Sequence, residues 1–271
     1  MTLSMSEFFG WQRHPFADTY QLSAPFLGTK DERICRRALS LLNCGKSFAV
    51  TGMSGAGKST LVQHIVSQLD AKHYQPTYIH YGGLLRSGIL KAVADCLGVD
   101  TAGRSMPLLV KLQKHILGLS ADANARYPVF VVDDAQLLEH ESLMDLCSLM
   151  VSPQKKTVAA SLILVGDETL AKRLQLNVMA PVKTRMTCIF TMEGLDESEI
   201  NGLVAYRLKA AKAPDDLFDT ETISLISSHC RGNRRQLMNI TTLLLDEAFF
   251  RKEKTVGSHL ILDNDLIEQS G

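Results

Sequence analysis

Two kinds of segment alternate along the first two thirds of the chain. Short apolar runs, typical of strands buried on both faces, are followed by segments whose apolar residues recur at helical spacing. The runs that predict strands are 48–50, 76–81, 129–134, 161–167 and 187–191. This alternation predicts an α/β fold, with a parallel sheet flanked by helices.

The pattern changes near Gly194, after which only helices are predicted. The residues 196–199 form a capping box at the start of one helix, Pro214 interrupts it, and Asp219 can cap the next. A third helix follows Gly232-Asn233-Arg234-Arg235. We therefore predict three regions: an N-terminal arm and helix packed on the core (1–45), an α/β domain (46–194) and a small all-α lid (195–271).

The turn after the first predicted strand carries a complete P-loop. Its residues are Gly52, Met53, Ser54, Gly55, Ala56, Gly57, Lys58, Ser59 and Thr60. Glycines let the loop curl so that its N–H groups face a phosphate, and the following helix adds partial positive charge. Lys58 is expected to reach the β- and γ-phosphates, and Ser59 to hold Mg²⁺. The strand, loop and helix context predicts a nucleotide-binding site; the alternative is a glycine-rich turn before an ordinary helix.

A second motif, 129–134, ends in Asp133 and Asp134. Open α/β sheets bind ligands at the carboxyl ends of their strands, where these two acids are expected. In a Walker B interpretation Asp133 binds Mg²⁺, usually through water, and Asp134 orients or activates the attacking water. Acids also end many ordinary strands, but the P-loop in the same chain favours the Mg²⁺ interpretation.

Composition narrows the class of protein further. The chain has 271 residues, 45% of them hydrophobic, and 29 basic residues balance 29 acidic ones. Any attraction to nucleic acid must therefore come from local patches. Six scattered cysteines without a CxxC pair argue against a zinc site and a disulfide framework. No apolar run is long enough to span a membrane and no export signal is evident, so we expect a cytoplasmic protein without stable membrane insertion.

Basic residues on the outer faces of predicted helices, together with Lys183, are candidate contacts to DNA phosphates, although a solvated face explains the helix residues more simply. They are Arg86, Lys91, Arg104, Lys111, Lys114 and Lys183.

Taken together, the motifs resemble those of the AAA+ ATPases, and more narrowly the group of ExeA-type secretion ATPases and transposon helper proteins of the TniB, TnsC and MuB type. The resemblance covers nearly the whole chain. It rests on Phe9-Gly10 with His14-Pro15-Phe16, on 52–60, on 131–136, on 162–166 and on 232–235.

The resemblance implies three further site residues. Asp167 falls where sensor 1 is expected, Arg185 where an arginine finger reaches a neighbouring subunit's nucleotide, and Arg235 where the lid carries sensor 2. Guanidinium groups would stabilise the charge that spreads over the γ-phosphate during transfer. Alternatively, Arg185 is a loop cation and Arg235 a surface residue at a helix start.

The chain departs from the family pattern in two places. The usual glutamate after the Walker B aspartate is Asp134, one methylene shorter, which predicts slow hydrolysis. Sensor 1 is an acid, Asp167, rather than an amide.

The preferred expectation is a Mg²⁺-dependent ATPase that forms ATP-bound rings or filaments, binds duplex DNA and recruits or activates a transposase. The secretion relatives carry additional membrane and periplasmic segments, which this sequence lacks. Two alternatives stay open. One is a cytosolic ATPase that supports secretion or pilus assembly, and the other is a nucleotide-gated interaction switch with little hydrolysis.

Overall fold

The computed structural model describes residues 4–19, 22–80, 86–102, 106–119, 126–151 and 158–262. Its contacts form two compact units. The sheet unit comprises Lys30–Gly52 and Lys58–Met192, and the helical unit comprises Met1–Thr29, Met53–Gly57 and Glu193–Gly271. The sequence ranges 1–45, 46–194 and 195–271 remain a prediction about domains.

The sheet unit contains five parallel strands in the order β2-β3-β4-β1-β5. The strands are β1 (Ser47–Gly52), β2 (Tyr74–His80), β3 (Tyr127–Asp133), β4 (Ser161–Gly166) and β5 (Met186–Met192). Every residue of β1 and β4 is buried, as expected for central strands covered on both faces. The α/β fold predicted from the sequence is therefore confirmed.

Helices of the sheet unit bury apolar side chains against the strands. They are α2 (Thr29–Asn43), α3 (Lys58–Ser67), α4 (Arg86–Leu97), α5 (Leu108–Leu119), α6 (His140–Leu149), α7 (Glu168–Leu174) and α8 (Ala180–Lys183). One core joins strand residues such as Phe130 and Leu164 to Val93, Leu146 and Leu170 of the helices. The rigid sheet holds the loops at its carboxyl edge in place.

The helical unit is built from α1 (Met5–Phe9), α9 (Glu197–Ala211), α10 (Thr220–Cys230), α11 (Arg234–Arg251) and α12 (His259–Leu262). The predicted capping box is present, because Asp196 accepts from the Glu199 N–H. Asp219 caps α10 as predicted. The core of the helical unit contains apolar residues of α9, α10 and α11.

The N-terminal aromatic residues lie in this helical core. The Phe9 and Trp11 rings stack with centroids 4.7 Å apart, and Phe16 packs edge-on against Phe218. Met5–Phe9 forms a short helix, because Ser4 and Glu7 make a capping box, and Gly10 ends it. Residues 10–16, which follow it, are not helical.

Within the described ranges, no helix combines the length and the apolar character that crossing a bilayer requires. All six cysteines are free.

Candidate nucleotide-binding site

Three motif-bearing strands end side by side at the carboxyl edge of the sheet. β4 pairs with β3 on one side and with β1 on the other. Gly52 ends β1, Asp133 ends β3, and Asp167 directly follows β4. Because the strands are parallel, these residues emerge at the same edge, which is where open α/β sheets bind ligands.

The last three residues of the P-loop lie in the sheet unit, where they begin a helix. Lys58, Ser59 and Thr60 form the first turn of α3. The Lys58 Nζ donates to the Gly52 carbonyl at 3.0 Å. The side chains of Ser59 and Thr60 are exposed, and a first helical turn has N–H groups without partners inside the helix. The arrangement is suited to binding an anion.

The middle of the loop, Met53–Gly57, belongs to the helical unit, where it contacts the start of α11. Asn233 Nδ2 donates to the Ser54 carbonyl at 2.7 Å, and the Arg235 N–H donates to the Gly55 carbonyl at 3.2 Å. The Arg234 guanidinium donates to the Ala56 carbonyl. Since the C=O and N–H of a trans peptide point in opposite directions, the N–H groups of Gly55 and Gly57 face away from α11.

Gly55 is required at this contact for two reasons. Its φ of +79° is a left-handed conformation that costs other residues energy. A Cβ atom at Gly55 would also overlap Asn233 Oδ1 and lie 2.9 Å from the Arg235 Cβ. Asn233 Oδ1 is fixed there because it caps α11, accepting from the N–H groups of Arg235 and Gln236.

The two Walker B acids differ in environment. Asp133 is half-buried, and its Oδ1 accepts from the Asp134 N–H at 2.9 Å. Asp134 is exposed and adopts a left-handed conformation, with φ of 51°, just after the strand. Its Oδ1 accepts from Gln136 Nε2 at 3.1 Å.

A family model matches the part of the chain that carries both motifs. Residues 44–174 match the family model described as AAA domain. This region is similar to an AAA domain. No curated protein sequence matched the chain.

Three solved structures share the fold of this chain. The Aeropyrum pernix ORC2 protein, in ADPNP-ADP complexes, has a TM-score of 0.69 and 16% identity over 96% of this chain and 71% of its own. CDC6P from Pyrobaculum aerophilum has a TM-score of 0.70 and 17% identity, and the match covers 89% of this chain and 67% of that protein. The Aeropyrum pernix ORC1 protein, in complex with DNA, has a TM-score of 0.67 and 13% identity, and the match covers 94% of this chain and 67% of that protein. At these low identities the TM-scores show the fold alone, which is the α/β P-loop fold of the AAA+ type with a C-terminal helical part.

Asp167 acts as a helix cap. Its Oδ1 accepts from the N–H groups of Thr169, at 2.8 Å, and Leu170, at 3.2 Å, at the start of α7. The Asp167 N–H is also engaged, since it donates to Gln136 Oε1 at 3.3 Å. An aspartate before an apolar helical repeat is an N-cap signal, so this contact was visible in the sequence. A role for Asp167 in sensing phosphate stays a prediction.

Each of the two arginines implied by the resemblance has contacts within its own unit. Arg185 is exposed just before β5, and its Nη1 donates to the Cys147 carbonyl at 2.9 Å. Burial raises the pKa of the Cys147 thiol to about 11, although the Arg185 charge opposes this shift. Arg235 Nη1 lies 3.4 Å from Ser54 Oγ in the helical unit. Their roles toward nucleotide remain predictions.

The sequence patterns do not predict Gln136 and Asn233 as site residues, nor Arg173, which donates to the Gln136 and Leu138 carbonyls. Gln136 and Asn233 were quoted only as parts of motifs. The contacts of Asn233 with the P-loop join residues about 180 positions apart, which single-sequence periodicity does not report.

The candidate DNA contacts are distributed over several elements. Lys91 lies on α4, and Lys111 and Lys114 lie on α5, which packs against α4. Lys183 ends α8 and donates to Gln175. Arg86 is the first residue of α4, and Arg104 lies outside the described residues.

Proposed function

We propose that this chain is a Mg²⁺-dependent AAA+ ATPase that hydrolyses ATP slowly and assembles with itself in the ATP-bound state. The observation that carries the proposal is the common sheet edge shared by Lys58 and the Asp133–Asp134 pair, with β4 alone between their strands. An anion-binding helix start beside two carboxylates is the arrangement that binds and hydrolyses a triphosphate.

The side chains fit a magnesium ion by their chemistry. Mg²⁺ prefers oxygen ligands, usually one or two carboxylates together with substrate phosphates, and the Asp133 carboxylate and Ser59 hydroxyl supply such oxygens. When bound, Mg²⁺ would neutralise developing charge on the phosphates. Lys58 binds phosphate oxygens, and Asp134 orients water and accepts its proton.

The proposed biological role is a transposition helper that acts on duplex DNA. Its support is the resemblance of the motifs to transposon ATPases, together with the fold shared with an ORC1 protein solved with DNA. Lys91 and Lys114 are exposed on neighbouring helices of the sheet unit, where they are available to phosphates.

DNA retention tests this role. Wild-type protein with a non-hydrolysable ATP analogue is expected to bind duplex DNA, with affinity falling steeply as salt rises. Replacing Lys91 and Lys114 with Ala should reduce the slope of log affinity against log salt by about two, at roughly 0.9 per phosphate contact. Lys72→Ala, another exposed lysine in the sheet unit, is the control. No DNA binding in any nucleotide state, with binding to a secretion or pilus component, would support the secretion alternative instead.

Mixing inactive variants tests assembly. Lys58→Ala lacks the phosphate-binding lysine, and Arg185→Ala lacks the proposed finger. If Arg185 acts on a neighbouring subunit, a mixture should recover part of the turnover that both variants lack alone. Arg126→Ala, at another exposed arginine of the sheet unit, should behave as wild type. A mixture no more active than its components, with unchanged sedimentation in ATP analogue, argues against the finger.

A further inference from the structure

Gln136 makes a bridge between the two loops that carry the acids. It lies in the short 3₁₀ turn Ala135–Leu137 after β3, and its side chain is half-buried. Gln136 Nε2 donates to Asp134 Oδ1 at 3.1 Å, and Gln136 Oε1 accepts from the Asp167 N–H at 3.3 Å. A carboxylate only accepts and an N–H only donates, so the two partners together fix the orientation of the amide.

The turn that carries Gln136 is itself held in place. Arg173, on α7, donates from Nη1 to the Gln136 carbonyl at 2.6 Å and from Nη2 to the Leu138 carbonyl at 2.8 Å. Both ends of α7 are therefore connected to this turn. At the start of the helix the Asp167 N–H donates to Gln136, and in its last turn Arg173 donates to the Gln136 carbonyl. The planar guanidinium fork fixes the orientation of the turn, which a single hydrogen bond would not.

Space for the amide depends on Gly166, the last residue of β4. A Cβ atom there would lie 2.8 Å from Gln136 Oε1 and 2.6 Å from Leu170 Cδ2. A larger residue at position 166 would therefore displace the Gln136 side chain or α7.

We propose that Gln136 is a positioning residue for Asp134, and that it joins the Asp134 carboxylate to the β4–α7 junction. The inference rests on the proposed function, in which Asp134 accepts a proton from the attacking water. Asp134 is exposed, so its carboxylate would otherwise rotate freely. The Gln136 amide holds Oδ1 and directs Oδ2 to the water. Sensor 1 at position 167 is an aspartate rather than an amide, and the Gln136 side chain supplies an amide from the neighbouring loop.

Steady-state kinetics with Mg-ATP tests the inference. Gln136→Ala should lower kcat roughly ten- to hundredfold, the scale expected when a catalytic group is misplaced. KM and the affinity for a fluorescent ATP analogue should stay within about twofold, because the side-chain hydrogen bonds of Gln136 go to Asp134 and Asp167. Gln113→Ala is the matched control, since Gln113 is a half-buried amide of the same unit that donates to the Ser148 carbonyl. Urea unfolding of each variant establishes that it folds.

Two double variants separate positioning from a general structural effect. If Gln136 acts through Asp134, then Asp134→Ala with Gln136→Ala should be no slower than Asp134→Ala alone. Gln136→Asn should be slow, because the amide no longer reaches Oδ1. Asp134→Glu in the same chain returns the lost methylene, so it should raise kcat by a larger factor there than it does in the wild-type chain.

The outcomes distinguish the inference from the function on which it rests. Equal turnover of wild type and Asp134→Ala overturns the proposed hydrolysis, and the inference with it. If Asp134→Ala is slow but Gln136→Ala keeps wild-type kcat, or if the two losses are additive, the inference alone is overturned. A loss of nucleotide affinity as large as the loss of kcat also contradicts it.

Discussion

Asp134 is the residue on which the proposed turnover most depends. Its carboxylate is one methylene shorter than a glutamate and begins from a left-handed backbone conformation. Asp134→Glu is therefore expected to raise turnover at saturating ATP, because the longer side chain holds the water better. Asp134→Asn, which keeps the size but not the basic group, should lose turnover. A glutamate variant no faster than wild type would show that side-chain length does not limit the reaction.

Gly55 and Gly10 form a natural pair for measuring the contact between the P-loop and α11. Both have φ of +79°, but a Cβ at Gly10 would meet nothing within 4 Å, whereas one at Gly55 would overlap Asn233. Gly10→Ala should cost about 1–2 kcal/mol of backbone strain. Gly55→Ala should lower the free energy of unfolding by more than that and also weaken ATP binding. If urea unfolding shows that both variants lose the same free energy of unfolding, the P-loop accommodates the added methyl group without a further loss of stability.

His14 makes the stability of the helical unit depend on pH. Burial, with the Arg207 charge second, lowers the pKa of His14 below 6.5, while Asp246 opposes the shift. The folded state thus favours the neutral imidazole, whose Nδ1 accepts from the Phe16 N–H. Unfolding takes up a proton at low pH, so stability should fall as pH drops below 6.5 toward the folded pKa.

Urea unfolding of wild type and His14→Asn over this range checks the prediction. The variant should lose the part of the pH dependence that belongs to His14. Identical pH profiles would contradict the role of His14.

At the scale of elements, Asp167 is expected to stabilise α7. Asp167→Ala should cost about 1 kcal/mol through loss of the cap, whereas Asp167→Ser keeps a capping oxygen and should retain stability. We expect Asp167→Ser to retain turnover as well, since Asp167 Oδ1 is engaged by the helix. A serine variant that is stable but at least about tenfold slower would favour sensing by the carboxylate.

The sequence predicted elements best where one physical signal dominates. β1 and β4 are buried on both faces, so they are uninterrupted apolar runs, and the P-loop has a fixed spacing. The short α8 was missed because Ala180–Lys183 is too brief for a helical period. The contacts of Gln136 depend on β4 lying beside β3, a pairing that no local pattern specifies.

At the scale of the whole molecule, we propose that Lys58 and the Walker B acids bind a magnesium nucleotide. Isothermal titration calorimetry with ATP and Mg²⁺ tests this most directly, with Lys46→Ala as a control at an exposed lysine before the P-loop strand. We expect saturable binding by wild type and by Lys46→Ala, and at least about tenfold weaker binding by Lys58→Ala, a loss of roughly 1.4 kcal/mol. Absence of binding by wild type, or equal affinity in Lys58→Ala, would contradict it.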